Sequence, residues 1–164
     1  MSIDPATLPR LFHGGIPGLK PGDLIEPGGH RTVDGCAICE ARARGESYVV
    51  PGLGVIDPPT QRPDRVYVTA DRDYGRFYAS LAFRGDLYVV EPVGDVEEST
   101  EDPFLTWCAP AARVRSVYTR CVTLTPGQRR SLQRRWHAAD IAALGARHKT
   151  AHAEEAALAE DGLR

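Results

Sequence analysis

Residues 64–94 read DRVYVTADRDYGRFYASLAFRGDLYVVEPVG, and this stretch decides the fold class. From Asp64 to Ala70, Val66, Val68 and Ala70 alternate with Arg65, Tyr67 and Thr69, the period of two of a strand with one buried face. The period then lengthens. Asp71 or Asp73 can cap a helix over Tyr74–Phe83, in which Phe77 and Leu81 fall on one side at a four-residue spacing. After Arg84-Gly85-Asp86, LYVVEPVG reads as a strand that runs into a Pro and Gly turn. Strand, helix and strand with no repeating βαβ unit predict an α+β domain rather than a doubly wound sheet.

Upstream, Pro9–Gly14 is a short apolar strand ending at two glycines, where backbone can approach a ligand closely. Between Glu26 and Arg62 the chain is rich in Gly, Pro and charge, with one helical stretch at Ala37–Arg44; a connection this long is functional, metal-clamped or mobile. Downstream, Arg113–Thr125 reads as one or two strands. Thr125 then caps a helix with Pro126 at its first position, running through QRRSLQRRWHAADIAALGARH. The expected organisation is one domain over residues 1–136, with an inserted loop at 30–62, and a helical or disordered tail at 137–164.

At 164 residues, 42% hydrophobic, the chain is long enough to bury one ordinary core. A net charge of -2 lacks the global basic field of a dedicated nucleic-acid binder. No stretch approaches the roughly 20 apolar residues of a membrane span, and MSIDPATLPR has no apolar signal core, so no membrane association and a cytoplasmic location are expected. There is no Walker-type loop, no dinucleotide-binding glycine fingerprint and no ordered Ser, His and Asp, which leaves P-loop, dehydrogenase and hydrolase chemistry without support.

Three segments in order carry a resemblance. They are Leu11-Phe12-His13-Gly14 followed by Leu19-Lys20-Pro21-Gly22-Asp23-Leu24, then Val66-Tyr67-Val68-Thr69, then Tyr88-Val89-Val90-Glu91-Pro92-Val93-Gly94 with Glu97 and Glu98 behind it. Their combination resembles the rifampin-type ADP-ribosyltransferases, members of the His-Tyr-acid class that uses NAD as an ADP-ribose donor. The resemblance implies a split β-sheet core with flanking helices. It implies that His13 bonds the adenosine-side ribose, that the Gly14 backbone holds the nicotinamide carboxamide, and that Tyr67 and Tyr78 stack on the nicotinamide. It further implies catalytic roles for His13, Tyr67 and an acid. Breaking the glycosidic bond leaves positive charge on the ribose, which a nearby carboxylate stabilises. Glu98 is the first candidate for that acid, with Glu97 and Asp102 as alternatives, because the family carries Asp where Glu98 stands. The interval from His13 to Tyr67 is longer than in the rifampin enzymes, so the acceptor is open among a small molecule, a protein and a nucleic acid. Taken singly, each residue has an ordinary structural explanation; their order is what carries the resemblance.

Two further features stand apart from it. Cys36-Ala37-Ile38-Cys39 has the spacing that lets two thiolates share one zinc ion, and His30 lies six residues upstream. His30, Cys36 and Cys39 are either three ligands of a zinc site, completed by Cys108, Cys121 or His13, or unpaired side chains in a loop. Arg129, Arg130, Arg134 and Arg135 gather on one side of the last helix, with Leu132 and Trp136 available to pack inward. Such a stripe is either solvated or binds phosphate, and with the zinc site it makes a non-catalytic nucleic-acid-binding module the alternative function.

Overall fold

The computed structural model describes residues 3–28, 35–58, 60–82 and 84–142. It is a mixed α+β structure whose strands pair antiparallel throughout. In chain order the elements are β1 (Leu11–Gly15), β2 (Leu24–Ile25), α1 (Ala37–Ala43), β3 (Tyr48–Val50), β4 (Gly54–Ile56), β5 (Val66–Thr69), α2 (Arg72–Leu81), β6 (Asp86–Val93), β7 (Glu97–Glu98), β8 (Thr106–Ala109) and β9 (Ala111–Thr119). Seven strands form one sheet in the order β2-β9-β6-β1-β5-β8-β7, and β3 and β4 form a separate hairpin. A further helix, α3, begins at residue 126 and continues to 142.

The alternation read from the sequence is what builds the sheet. Val66 and Val68 turn to one face with Leu11, Tyr88, Val90, Trp107 and Val114, forming the larger core cluster. Phe12 and Leu87 turn to the other face, where Ala79 of α2 covers them. Asp71 is the residue that caps α2, its carboxylate accepting the Tyr74 N–H at 2.9 Å. The helix lies close to β1 because three small residues meet there. A Cβ added to Gly14 would stand 2.0 Å from the Gly75 carbonyl oxygen and 2.5 Å from the Ala79 nitrogen.

The central feature for function is the join between β1 and β5. On its other side β1 pairs with β6 over its whole length, Leu11 to Gly15. Against β5 a single pair, Phe12 with Thr69, is in register. Beyond Phe12 the two strands part, and the His13 imidazole spans the gap by donating from Nδ1 to the Tyr67 carbonyl at 2.9 Å.

Several expectations are refined by the structure. The long insert is not structureless: α1 forms where the helical stretch was read, and the β3–β4 hairpin follows it. The acidic run after Gly94 contains a short edge strand, β7, which pairs with β8 and was read as loop. Such two- to four-residue strands have too few residues to show a period. The chain divides into two compact units, Met1–Thr123 and Leu124–Arg164. In that second unit the start of α3 is closed reciprocally. The Gln128 N–H donates to Thr125 Oγ1 at 3.2 Å and the Thr125 N–H to Gln128 Oε1 at 2.9 Å, a capping box. The tail expected at 137–164 falls outside the described residues from 143 onward. Among the described residues no helix is long and apolar enough to cross a membrane.

Candidate functional site

A cavity of about 470 Å³ opens where β1 and β5 part. Because the strands separate there, it is lined from both faces of the sheet. Val66 and Val68 contribute from the core face, and Tyr67, Thr69 and Thr106 from the face under α2. Tyr74, Gly75 and Tyr78 of α2 close one wall, the segment from Ile16 to Gly28 another, and Glu101 and Asp102 supply its carboxylates.

Each functional side chain is placed by an identifiable contact. His13 is half-buried, and burial lowers its pKa, partly offset by the bond to the Tyr67 carbonyl. A carbonyl only accepts, so the Nδ1 proton is fixed there and the neutral ring leaves Nε2 as an acceptor. The Tyr67 hydroxyl donates to Glu101 Oε1 in a short hydrogen bond, and burial followed by that bond pushes its pKa up. Glu101 is held further by Thr60 Oγ1 at 3.2 Å and the Gln61 N–H at 2.9 Å. Asp102 is gripped at both oxygens, by the Tyr74 hydroxyl at 2.5 Å and the Ser99 hydroxyl at 2.6 Å. The Tyr78 hydroxyl lies 3.1 Å from that of Tyr74, whose ring packs edge-on against Tyr78 and Phe104. Two carboxylates thus stand on an aromatic wall, each oriented by a tyrosine.

The structure brings His13, Gly14, Tyr67 and Tyr78 together at this cavity, from positions spread over 66 residues of sequence (78 − 13 + 1). It does not bring Glu97 or Glu98. In register, Glu97 lies across β8 from Cys108 and so shares the Tyr67 face, but its carboxylate is bound by Arg62 at 2.9 Å and Arg65 at 3.2 Å. Glu98 pairs with Trp107, the partner of Val68, so it projects from the opposite face of the sheet and is exposed. The first-choice acid is therefore placed away from the cavity, and Asp102, the third choice, is in it. The reason is β7: a strand alternates its side chains, so only one of two adjacent glutamates can share the tyrosine's face.

Sequence reading missed four contributors. Glu101, Thr60 and Thr106 give no local signal, since their roles depend on strand register and on the returning insert. Asp86 is the fourth, a carboxylate buried beneath the 16–19 segment that rims the cavity. It accepts from the Gly18 N–H at 2.9 Å, the Cys121 N–H at 2.8 Å, Arg120 at 2.5 Å and the Tyr88 hydroxyl at 3.2 Å. Burial alone would raise its pKa, but these donors outweigh burial and hold it below the usual value. The stability it supplies is complete above the ordinary aspartate pKa of 3.8 and is lost as pH falls below that toward the depressed folded value. Thermal melts of wild type should therefore drop steeply between about pH 5 and pH 2, whereas Asp86→Asn, less stable at neutral pH, should lose less over the same interval.

The cysteine segment is placed in part. Cys36 occupies the N-cap position of α1 without a side-chain capping bond and Cys39 lies in the first turn, where the nearby Cys39 backbone N–H and thiol lower the pKa of the Cys36 thiol. His30 lies outside the described residues, and Cys108 and Cys121 occupy β8 and the turn beside Asp86. Among the described residues no group of three or more His, Cys, Asp and Glu is placed to hold a metal ion. On α3, Arg129, Leu132, Trp136 and Ala139 form the half-buried stripe and Arg130, Arg134 and Arg135 are exposed, so the four arginines expected on one side do not share one: at about 100° per residue Arg129 falls on the stripe.

Set against known proteins, the sequence matches no family model and no curated protein. The functional assignment therefore rests on the residues themselves.

Proposed function

We propose that this chain is an NAD-dependent ADP-ribosyltransferase that cleaves the nicotinamide–ribose bond and passes ADP-ribose to an acceptor nucleophile. One observation carries the reading. His13, Gly14, Tyr67 and Tyr78, picked out by resemblance as the NAD-binding set, converge on one cavity at the parting of β1 and β5, with Asp102 on its wall.

The chemistry needs four things, and each has a residue. A ribose hydroxyl needs a fixed acceptor, which the neutral His13 ring offers at Nε2. A flat, cationic pyridinium needs an aromatic face and negative surroundings, which Tyr67 and Tyr78 beside Glu101 and Asp102 provide. As the C1′–N bond breaks, its electron pair leaves with nicotinamide and positive charge grows on the ribose; the Asp102 carboxylate is the group that stabilises it. The acceptor's lone pair then forms the new bond at C1′, and the proton the nucleophile carried is lost to solvent. Glu101 acts through Tyr67, fixing the hydroxyl and so the tilt of the ring.

Two substitutions at one residue test the binding role. Tyr67→Ala removes the stacking face and should weaken NAD binding by about 1 to 3 kcal/mol in calorimetric titration. Tyr67→Phe keeps the ring and loses the hydroxyl's bonds to Glu101 and from the Arg62 N–H, neither of which touches the ligand, so NAD binding should stay within about 1 kcal/mol of wild type. Equal losses in both variants would mean that the hydroxyl, not the ring, contacts the ligand.

A further inference from the structure

Buried polar groups are hydrogen-bonded as a rule, and each exception requires an explanation. Among the described residues one buried side-chain oxygen has no partner, Thr106 Oγ1. Thr106 is 2% exposed and lines the cavity. Its register partner is Thr69, which places its side chain on the same face as Tyr67 and under α2. Leaving a hydroxyl buried and unsatisfied costs about 1 to 3 kcal/mol, and valine has the same shape without that cost.

The other side-chain donors around the cavity are committed to the protein. The Tyr67 and Thr60 hydroxyls donate to Glu101, Tyr74 to Asp102 and Thr69 to the Leu105 carbonyl. With the Tyr74 proton on Asp102, the Tyr78 hydroxyl is the donor of the Tyr74–Tyr78 pair. The Arg65 guanidinium serves Glu97, Asp64 and the Asp95 carbonyl. What the cavity offers a ligand is mostly acceptors: two carboxylates and the His13 Nε2. Ribose hydroxyls can donate to these. A carboxamide oxygen cannot; it accepts up to two hydrogen bonds, and beside the Gly14 backbone contact implied by the resemblance it needs a side-chain donor.

We propose that Thr106 is a specificity-determining residue whose hydroxyl donates to the carboxamide oxygen of the nicotinamide, a role that rests on the NAD reading above. A change of χ1 to another staggered rotamer carries the hydroxyl out of its buried position and turns the oxygen to the cavity. The carboxamide nitrogen then faces acceptors, as its two protons require. A carboxylate in the same place would meet Glu101 and Asp102, so the site selects NAD over its nicotinic acid analogue.

The test compares Thr106→Val and Thr106→Ser with wild type by calorimetric titration with NAD, with the nicotinic acid analogue, and by thermal melting. Thr106→Val should bind NAD about tenfold more weakly while its melting temperature holds or rises, because an unsatisfied hydroxyl has been removed. Thr106→Ser should bind as wild type does, and wild type should prefer NAD to the acid analogue by at least about tenfold. If Thr106→Val binds NAD as tightly as wild type, or loses melting temperature in step with affinity, the hydroxyl is structural and this inference fails alone. If wild type binds the acid analogue as well as NAD, the selectivity argument fails. If wild type binds neither, the NAD reading itself falls and this inference with it.

Discussion

Asp102→Asn should lower the rate of nicotinamide release by about a hundredfold or more, close to 3 kcal/mol, while NAD affinity changes little. The asparagine keeps the size of the side chain. Its carbonyl oxygen still accepts from Tyr74, and the Ser99 hydroxyl can turn to accept from the amide nitrogen, so the 99–102 turn should persist. What disappears is the full negative charge beside the ribose, which matters most once the glycosidic bond has begun to break. The control is Glu98→Gln. Its side chain projects from the other face of the sheet, and its rate should match wild type. Glu101→Gln should fall between the two, since it disturbs the carboxylate that holds the Tyr67 hydroxyl without removing the charge at Asp102. Steady-state release measured at saturating NAD separates the three. A wild-type rate in Asp102→Asn, or a hundredfold loss in Glu98→Gln, would reverse the assignment of the acid.

The second large effect concerns folding. Gly14→Ala should destabilise the first unit by about 3 kcal/mol or more, a fall in melting temperature on the order of 10 °C. The added methyl would overlap the Gly75 carbonyl oxygen and the Ala79 nitrogen, both backbone atoms of α2, so relief requires moving the helix and not a flexible side chain. Gly75 is under milder pressure, since the atom nearest its added Cβ is Leu87 Cδ1 at 3.0 Å, the end of a side chain that can give way. Gly28→Ala is the matched control: it also lies on the cavity, nothing approaches within 4 Å of the added carbon, and stability should not change. Differential scanning calorimetry decides it. The result also separates two roles for Gly14, because the packing penalty arises without ligand. A loss of NAD affinity beyond the loss of folded protein would belong to the backbone contact implied by resemblance.

How much of this was legible depends on the reach of each signal. The alternation at 64–70, an aspartate cap at 71 or 73 and the Thr125-Pro126 start are local, and the structure contains the strand, a helix capped by Asp71 and a helix start capped by Thr125. His13, Tyr67 and Tyr78, which only the resemblance singled out, line one cavity, and no local physics links residues 54 positions apart. Which carboxylate lines the cavity did not follow. It depends on which face of β7 each glutamate takes, on Glu97 being held by two arginines, and on the turn that carries Asp102 back to Tyr74. These are consequences of register, and a two-residue strand leaves no period to read. Asp86 was equally invisible, since its four donors come from β6, the Ile16–Leu19 rim and the turn after β9.

The central claim is that the cavity between β1 and β5 binds NAD and breaks its nicotinamide–ribose bond. The most direct measurement is chromatographic detection of free nicotinamide after incubating the purified full chain with NAD, beside parallel samples of Asp102→Asn and of NAD alone. Nicotinamide should accumulate with wild type well above the rate for NAD alone and fall to near that rate with Asp102→Asn. Wild-type protein that melts cooperatively yet releases nicotinamide no faster than NAD alone, with every class of acceptor supplied, would contradict the account.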